Sequence, residues 1–539
     1  MNFEATLSEE CRRYLRLFCQ ELDAGREGEQ EWDFFAVNAH KMQRPPDLAL
    51  LVDWLKQNLK TNADYEAIQQ DYERVGRLLS IGDQAAQTDY LPESMRGRNL
   101  SLLMDMAMPA APSGVPLGLH AGRSLSNGKN MHLPLSLPPE MRQDNPHILA
   151  LGLQGKGKTG FMTRMIAHDI EAATRAVVVL DSDGTLIDFI DNWISSHPRA
   201  EEFVNRTIIL DPSLETDALT YNALQVPDDG DVQSTATAVV NAFRARPFEP
   251  FEEQEWKTQT ATILRNAVVL LACNGLTLAD LPTVLLDAQY REVLLGHLEG
   301  KKEAHAGFQP LLDIWAHYNR LANSPQWLNW IDPILGRVTP GLSDNRILSI
   351  VNQRHSSLDL QQVLKGKMIL LVRLPQDQLD HSGDLLASLI VSGLKRSAQS
   401  LIDEAGGRLQ CALYVDYLDN LIGWDSVESI LLDSKKHHIG FTGSAKSLNR
   451  LIKAKRSDLL NGFGTIAAFA VEHDDAEILA PRLLRLDPDR MRLYNLSAGD
   501  QERLNVERLT QQEPGRYFVC RIGHSAGIFD AQSPEYPFR

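Results

Sequence analysis

Gly152-Leu153-Gln154-Gly155-Lys156-Gly157-Lys158-Thr159 fits the phosphate-binding pattern G-x-x-x-x-G-K-S/T at every fixed position. The apolar run 148–151 precedes it and predicts a buried strand, and the pattern of residues 163–172 predicts a helix after it. A strand, a glycine-rich turn and a helix are the arrangement that such a loop requires. The sequence therefore predicts nucleotide binding, with a plain glycine-rich turn that binds nothing as the alternative.

Phosphate oxygens are bound by backbone N–H groups that converge on one point, and bulky side chains would block that approach. The glycines of the loop leave this space open, and the N-terminus of the following helix adds partial positive charge. We expect Lys158 to reach the terminal phosphates of ATP and the hydroxyl of Thr159 to bind Mg²⁺. The predicted nucleotide-binding residues are Gly152, Gly155, Lys156, Gly157, Lys158, Thr159 and Gly160.

The composition is that of a globular protein whose contacts with nucleic acid, where they exist, are local. The 539 residues are enough for two or three domains, and the formal net charge of −17 argues against a surface that is basic everywhere. Contact with DNA would then be confined to a patch or to a channel formed on assembly. The five cysteines form no CxxC pair, which favours neither a zinc site nor disulfides and fits a reducing cytoplasm. Because no N-terminal signal is visible and the apolar runs are shorter than the ~20 residues that span a bilayer, we do not expect the chain to be membrane-embedded by itself.

The pattern of apolar residues divides the chain into four parts. Residues 1–107 are predicted to be an N-terminal helical domain with a linker, and residues 108–251 the first part of a P-loop nucleotide-binding domain, with a hairpin or strand over 118–137. Residues 252–360 show almost no strand signal and predict an all-helical insertion, and residues 361–539 complete the nucleotide-binding domain. Strand-like runs that alternate with helices predict an α/β fold with a mostly parallel sheet covered on both faces. These runs are residues 176–180, 207–210, 367–374, 413–415, 439–442 and 465–471.

Two aspartates stand at the carboxyl ends of apolar strand-like runs. Asp181 ends the run 177–181, and Asp416 ends the run 412–416. Ligands of open α/β sheets lie at this edge. Hydrolysis of ATP also needs a carboxylate near Mg²⁺ and a group that orients the attacking water. Both aspartates therefore qualify as candidates.

The order of these segments resembles that of the HerA/FtsK ATPases, and among them the coupling-protein ATPases of the TraD/TraG type. The resemblance runs in order from about residue 115 to 520 and implies a RecA-like fold with a helical insertion. Its most specific part is the phosphate loop. The other segments that carry it are Pro116-Leu117-Gly118, Pro146-His147-Ile148-Leu149, Asp181-Ser182-Asp183-Gly184, Trp256 with Ile263-Leu264-Arg265-Asn266-Ala267, and Lys365-Gly366-Lys367-Met368-Ile369-Leu370-Leu371.

On this resemblance Asp416 is the Walker B aspartate, which would act on Mg²⁺ and on the attacking water. The family has a glutamate at the next position, where this chain has Tyr417. Lys435 stands in place of the family's arginine finger, and Lys446 stands in place of its sensor glutamine. The resemblance thus implies Thr159 and Asp416 as Mg²⁺ ligands and three departures at catalytic positions.

Each departure is expected to slow hydrolysis more than it weakens binding. A tyrosine with a pKa of about 10 cannot act as a carboxylate base at neutral pH. A lysine lacks the planar fork with which arginine holds a phosphoryl group in transfer, and it cannot accept a hydrogen bond from water as glutamine does. Asp183 or Asp419 could replace the missing base, although such residues are more often helix caps or surface groups.

Two functional hypotheses follow. The first is a coupling-protein-like ATPase related to the DNA translocases of conjugation and type IV secretion, with weak or lost hydrolysis, for which the family implies a hexamer with DNA in a central channel. The second is a non-hydrolysing pseudo-ATPase that acts as a regulatory or structural partner, either as a homo-oligomer or beside partner ATPase or secretion proteins. Both imply ATP and Mg²⁺ as ligands and a bacterial cytoplasmic location, at the periphery of a membrane complex where one is present.

Three other conspicuous residues are predicted to have structural roles. His147 shows no metal-ligand spacing and is predicted to be a hydrogen-bonded structural histidine. Trp315 and Trp327 are predicted to be core or interface anchors, which is the more frequent role of tryptophan than that of a platform for nucleic-acid bases.

Overall fold

The computed structural model describes a little over three fifths of the chain. The N-terminal helical domain predicted over 1–107 lies outside the described residues, as does Lys435. The described residues are 115–123, 130–137, 142–143, 145–214, 219–227, 230–244, 258–300, 308–322, 324–402, 406, 408–418, 428, 430–431, 438–448, 457–484, 497–521 and 528–532.

The described residues fall into two compact units, the first of which contains residues 115–123, 130–137 and 529–532. In this unit β1 (Val115–Arg123) and β2 (Asn130–Leu137) form an antiparallel hairpin. The opposite edge of β1 pairs antiparallel with β11 (Ile528–Gln532). The hairpin predicted from alternation over 118–137 is confirmed.

The second unit contains residues 139–528 and a central sheet of eight strands. Seven neighbouring strands, in the order β9-β3-β8-β7-β4-β6-β5, run parallel, and β10 pairs antiparallel with β9 at one edge. The strands are β3 (Ile148–Leu151), β4 (Ala176–Asp181), β5 (Thr207–Leu210), β6 (Ile369–Arg373), β7 (Cys411–Val415), β8 (Ile439–Ala445), β9 (Thr465–Ala468) and β10 (Arg516–Arg521). The predicted mostly parallel α/β sheet is confirmed.

The central strands are buried along their whole length. Every residue of β3, β4 and β7 is buried, which is why these strands are continuous apolar runs rather than alternating ones. A sheet that is buried on both faces needs helices on both sides. The parallel strands also bring their carboxyl ends to one edge, where the phosphate loop and the strand-end aspartates lie.

Fourteen helices are described in the second unit, and most present one apolar face to the sheet or to each other. In α2, for example, Leu186, Ile187, Ile190 and Ile194 are buried at helical spacing. The helices are α1 (Lys158–Ala172), α2 (Thr185–Ser196), α3 (Ala200–Asn205), α4 (Val232–Arg244), α5 (Thr258–Cys273), α6 (Leu281–Leu286), α7 (Ala288–Glu299), α8 (Gln309–Leu321), α9 (Pro325–Gly341), α10 (Asn345–Val351), α11 (Leu360–Lys365), α12 (Gln376–Ser400), α13 (His473–Leu483) and α14 (Ala498–Thr510).

Between β5 and β6 the described residues form the helices α4 to α11 and no strand. Trp315 and Trp327 lie in their core, and the indole N–H of Trp327 donates to the carbonyl of Leu285 at 3.1 Å. Both tryptophans are therefore core anchors, as predicted. The α4 helix packs against α12, which follows β6, so the helices after β5 share one core with the sheet. The boundaries 108–251, 252–360 and 361–539 remain predictions.

Candidate functional site

The phosphate loop joins β3 directly to α1. Gly157 is the N-cap of α1 with φ +108°, so the helix begins at Lys158 and not at residue 163 as the apolar pattern predicted. Gly155 has φ +73°, a conformation that L side chains rarely adopt. A Cβ on Gly152 would lie 2.6 Å from Cβ of Phe469, so this position has no room for a side chain. The loop thus needs glycine where the phosphate-binding pattern has it.

Backbone hydrogen bonds fix the loop to the two strands that flank β3. The N–H of Gly152 donates to the carbonyl of Ala445 at the end of β8, at 3.1 Å. The N–H of Leu153 donates to the carbonyl of Ala470, just after β9, at 2.7 Å. The start of the loop is therefore held by both neighbours of its strand.

A turn from a distant part of the sequence contacts the loop. The N–H of Gly515 donates to the carbonyl of Lys156 at 2.9 Å, and Nζ of Lys156 lies 3.4 Å from the carbonyl oxygen of Gln512. A Cβ on Gly157 would lie 3.2 Å from Cα of Gly515, so the two glycines allow the close approach. The sequence did not predict this contact, because nothing in the pattern of residues 512–515 distinguishes it from an ordinary turn.

Lys158 is buried within the loop. Its Nζ donates to the carbonyl oxygens of Gly152 at 2.7 Å and Leu153 at 3.0 Å, and it lies 5.1 Å from the centroid of the Tyr417 ring. Thr159 and Gly160 follow in the first turn of α1, with Thr159 partly exposed. The ammonium group thus lies at the start of the loop and beside the end of β7.

The two strand-end aspartates lie side by side. Leu180 of β4 pairs with Val415 of β7, which brings Asp181 and Asp416 to adjacent positions at the edge of the sheet. Carboxylate oxygens of Asp181, Asp183 and Asp416 all lie within 4.8 Å of one another. We call these three residues the acidic cluster. Both candidates from the sequence thus belong to one cluster.

Most oxygens of the acidic cluster have backbone partners. In Asp181, Oδ1 accepts from the N–H of Asp183 at 3.2 Å and Oδ2 from that of Ile187 at 2.9 Å. Asp183 is exposed, and its Oδ1 accepts from the N–H of Thr185 at 2.8 Å. These two side chains therefore cap the start of α2.

Asp416 is bound on one oxygen only. Its Oδ1 accepts from the hydroxyl of Ser444 in β8 and from the N–H of Tyr417 at 3.1 Å. Its Oδ2 is buried and has no hydrogen-bond partner among the described residues. Ser444 was not predicted, since a serine inside an apolar run gives no signal of its partner.

Burial dominates the electrostatics of the acidic cluster. Burial raises the pKa of Asp181 to about 7, and the charge of Asp416 contributes to this rise. The hydrogen bond from the backbone N–H of Ile187 lowers the pKa and so opposes the shift. Burial also raises the pKa of Asp416, which the hydroxyl of Ser444 and the charge of Lys158 oppose. The cluster therefore favours either a proton or a cation at neutral pH.

Tyr417 follows Asp416 in the left-handed conformation, with φ +49°. Its ring is half-buried, and burial together with the nearby carboxylates raises the pKa of its hydroxyl to about 12. The phenol is therefore neutral near pH 7. Lys446 is exposed and directly follows β8, on the same edge of the sheet. The structure thus brings Tyr417, Lys158 and the acidic cluster together.

Arg373, at the carboxyl end of β6, is a further charged residue at this edge. It pairs with Asp188 of α2 and, through Nε at 3.1 Å, with Asp211. The guanidinium lies over Gly184, whose φ of +85° favours glycine at this position. The sequence did not single out Arg373, because its partners come from two other segments.

Behind the site, a buried polar network joins α1, the helix after the loop, to β7. Both guanidinium nitrogens Nη1 and Nη2 of Arg142 lie 2.6 Å from the carboxylate of Asp169 in α1, and the hydroxyl of Tyr414 in β7 donates to that carboxylate at 2.7 Å. Although burial favours the neutral acid, the Arg142 charge holds the pKa of Asp169 well below its usual range. Bidentate pairs of arginine and carboxylate, such as Arg142 with Asp169, are among the strongest hydrogen-bonded pairs in proteins.

His147 makes a second buried connection, which joins the residue just before β3 to β8. Its Nδ1 accepts from the N–H of Phe441 in β8 at 3.2 Å, and burial lowers its pKa to about 4. The ring is therefore neutral at pH 7, and the predicted structural role is confirmed.

Comparison with known proteins agrees with the resemblance that the sequence shows. Residues 133–305 match the family model described as the type IV secretion-system coupling protein DNA-binding domain. A comparison with curated protein sequences gave no match.

Solved structures of the bacterial conjugative coupling protein TrwB have the same fold. Its unbound form aligns with a TM-score of 0.52 at 18% identity over 76% of this chain and 89% of that chain. The form in complex with ADP and Mg²⁺ aligns with a TM-score of 0.51 at 17% identity over 75% and 88%, respectively. The form with a non-hydrolysable GTP analogue aligns with a TM-score of 0.52 at 16% identity over 75% and 89%. At these identities the likeness shows the fold.

Within the part of the chain that the structure describes, no helix is both long enough and apolar enough to span a membrane.

Proposed function

We propose that the chain is a relative of the TrwB-like type IV secretion coupling ATPases, and that it binds ATP with Mg²⁺ at the phosphate loop and hydrolyses it weakly or not at all. The observation that carries the proposal is the loop itself. Its glycines occupy positions that exclude side chains, and its lysine lies within the loop that would surround the phosphates. Backbone N–H groups and the start of α1 supply the partial positive charge that phosphate needs.

The proposed Mg²⁺ ligands are Thr159 and Asp416. A hard cation prefers oxygen ligands, and the buried Oδ2 of Asp416 has no hydrogen-bond partner among the described residues. Bound Mg²⁺ would neutralise charge on the phosphates. Asp416 lies close enough to Lys158 for their charges to interact, as a shared nucleotide site requires.

We expect weak hydrolysis from the residues that we propose for the three catalytic positions. The residue after Asp416 is a tyrosine whose hydroxyl stays neutral at pH 7, so it offers no carboxylate to activate water. Lys446 in the sensor position offers only donors. Lys435, which we propose in place of the arginine finger, lacks the fork that grips a transferring phosphoryl group.

We further propose that the protein is a ring-forming relative of DNA translocases and moves DNA through the central channel of the ring. The family model of a DNA-binding domain over residues 133–305 supports this proposal. The net charge of −17 limits DNA contact to a local basic surface, which assembly of several copies would create. Its place would be the bacterial cytoplasm, at the periphery of a secretion or conjugation complex.

A second candidate function is a pseudo-ATPase that uses bound nucleotide to stabilise a complex with partner proteins. The observation that favours it is Tyr417, which fills the glutamate position in a left-handed conformation beside Lys158. Such a protein keeps the nucleotide as a structural ligand.

Thermal unfolding and phosphate release, measured on the same sample, test these proposals. Saturating ATP with Mg²⁺ should stabilise the chain by about 2.7 kcal/mol at a hundredfold excess over Kd, and the Lys158→Ala variant should lose this shift. Phosphate release that DNA stimulates above the Lys158→Ala background favours the translocase. A thermal shift without release favours the pseudo-ATPase, and the absence of any shift contradicts nucleotide binding.

A further inference from the structure

The turn at residues 512–515, which we call the C-terminal turn, joins α14 to β10 and lies against the phosphate loop. The side-chain N–H of Gln512 donates to the carbonyl of Ala468, the last residue of β9, at 3.3 Å. The N–H of Arg516 donates to the carbonyl of Glu513 at 3.1 Å. The C-terminal turn is therefore closed by its own hydrogen bond and is tied to the sheet.

Aromatic side chains from the same part of the chain pack beside the loop. The ring of Tyr517 in β10 stacks on that of Phe469, which directly follows β9, with 4.5 Å between the ring centroids. A Cβ on Gly152 would lie 2.6 Å from Cβ of Phe469, and a Cβ on Gly157 would lie 3.4 Å from its ring. The segments at the ends of β9 and β10 thus contact the loop at its first and third glycines.

One peptide group of the loop is fixed by the C-terminal turn. The N–H of Gly515 donates to the carbonyl of Lys156 at 2.9 Å. Since a peptide group is planar and trans, the carbonyl of Lys156 and the N–H of Gly157 point in opposite directions. With the carbonyl held by Gly515, this peptide group directs the N–H of Gly157 away from the C-terminal turn.

The first two N–H groups of the loop are already engaged. Those of Gly152 and Leu153 donate to the carbonyls of Ala445 and Ala470 at the ends of the neighbouring strands. A nest that binds phosphate therefore has to use N–H groups from later in the loop, among them that of Gly157. The orientation of this one peptide group then matters for binding.

We propose that the C-terminal turn is a positioning element of the nucleotide site, because it holds the N–H of Gly157 in the orientation that phosphate needs. The inference rests on the proposed function for the identity of the ligand, whereas the effect of the turn on the loop needs no nucleotide. Because coupling between two sites is reciprocal, bound nucleotide stabilises the C-terminal turn in its present conformation.

The alternative role of the C-terminal turn is only to connect α14 with β10, and two alanine substitutions separate the roles. Gly515 has φ +81° and Gly275 has φ +65°, so alanine is strained at both positions. Gly515 lies against Gly157, whereas a Cβ on Gly275 would meet nothing within 4 Å. Gly275→Ala is therefore a matched control for the strain that Gly515→Ala introduces.

Amide hydrogen exchange of the nucleotide-free chain is the first half of the test. In Gly515→Ala we expect residues 155–159 to exchange about tenfold faster than in the wild type, because the strained turn holds the loop less firmly. Gln512→Ala removes the bond to Ala468 without straining the backbone and should change the exchange in the same direction, whereas Gly275→Ala should leave it unchanged. Equal exchange of residues 155–159 in Gly515→Ala and Gly275→Ala would overturn the inference. If the exchange of β4 shows that Gly515→Ala does not fold, Gln512→Ala decides in the same way.

Calorimetric titration of these variants with a non-hydrolysable ATP analogue and Mg²⁺ is the second half. We expect an affinity about tenfold lower in Gly515→Ala and unchanged in Gly275→Ala, and slower exchange of residues 511–517 in the wild type when the analogue is bound. Unchanged affinity in Gly515→Ala, or unchanged exchange of residues 511–517, would overturn the inference while the proposed function stands. If the wild type binds no analogue but Gly515→Ala speeds exchange of the loop, the proposed function fails and the hold of the turn on the loop is supported.

Discussion

The phosphate loop and the acidic edge of the sheet differ in how closely each follows the pattern of the ATPases that the sequence resembles. The loop keeps every fixed residue from Gly152 to Thr159, and the backbone conformations of its glycines agree with that pattern. At the acidic edge Asp416 is kept, but Tyr417 and Lys446 stand where a glutamate and a glutamine are expected. The difference teaches that phosphate binding depends largely on the backbone, whereas hydrolysis depends on particular side chains.

The largest effect is expected where the two regions are joined. Asp169→Ala would leave the Arg142 charge buried without its carboxylate partner, between α1 and β7. We expect a loss of about 3–5 kcal/mol in the free energy of unfolding, measured with urea. Glu171→Ala, which removes an exposed carboxylate from the same helix, should change it by less than about 1 kcal/mol. Equal effects of the two variants would show that the network does not join the regions energetically.

A pH effect is expected at the second connection. His147 has its pKa lowered to about 4 by burial, so its neutral form stabilises the folded state above the ordinary pKa of the unfolded chain. This stability is lost as the pH falls from about 6.5 through 4, and the full difference corresponds to about 3 kcal/mol. Between pH 7 and pH 4, the free energy of unfolding should change by about 3 kcal/mol less in His147→Asn than in the wild type. An unchanged pH dependence would contradict a neutral, buried imidazole.

A third prediction concerns the glutamate that is expected directly after Asp416 and that Tyr417 replaces. Tyr417→Glu should raise ATP turnover by about 10²-fold, the low end of the contribution of a general base, because Lys446 is unchanged. Phosphate release at saturating ATP and Mg²⁺ is the measurement, and Tyr417→Gln is the control of similar size without charge. A similar rise in both variants would mean that removing the ring, rather than adding a base, is responsible. If neither variant hydrolyses ATP faster than the wild type, the slow hydrolysis would be assigned to Lys435 and Lys446 instead.

The sheet was largely predictable from the sequence, since its central strands are buried on both faces and are therefore uninterrupted apolar runs. The run 148–151 is β3 without correction, and 207–210 is β5. The strand β10 was not predicted, although it contains the short apolar run 517–520; it pairs antiparallel with β9, outside the series of parallel strands. The start of α1 was predicted five residues too late, at 163 and not 158, because glycine and lysine in its first turn hide the apolar pattern.

The candidate site was predictable only in part. The sequence placed Asp181 and Asp416 at strand ends, but only the order of the strands shows that β4 and β7 are neighbours. Ser444 and Gly515 act through hydrogen bonds to residues far away in the chain, which no local pattern records. The roles of Tyr417, Lys435 and Lys446 in hydrolysis stay predictions.

Calorimetric titration of the chain with a non-hydrolysable ATP analogue and Mg²⁺ tests the central claim most directly. We predict saturable heat of association for the wild type and a large loss of affinity in Lys158→Ala, which removes the ammonium group that is hydrogen-bonded to the start of the loop. A wild-type chain that is folded and gives no heat of association at any temperature tested, and no displacement of a fluorescent nucleotide, would contradict the claim that this loop binds phosphate.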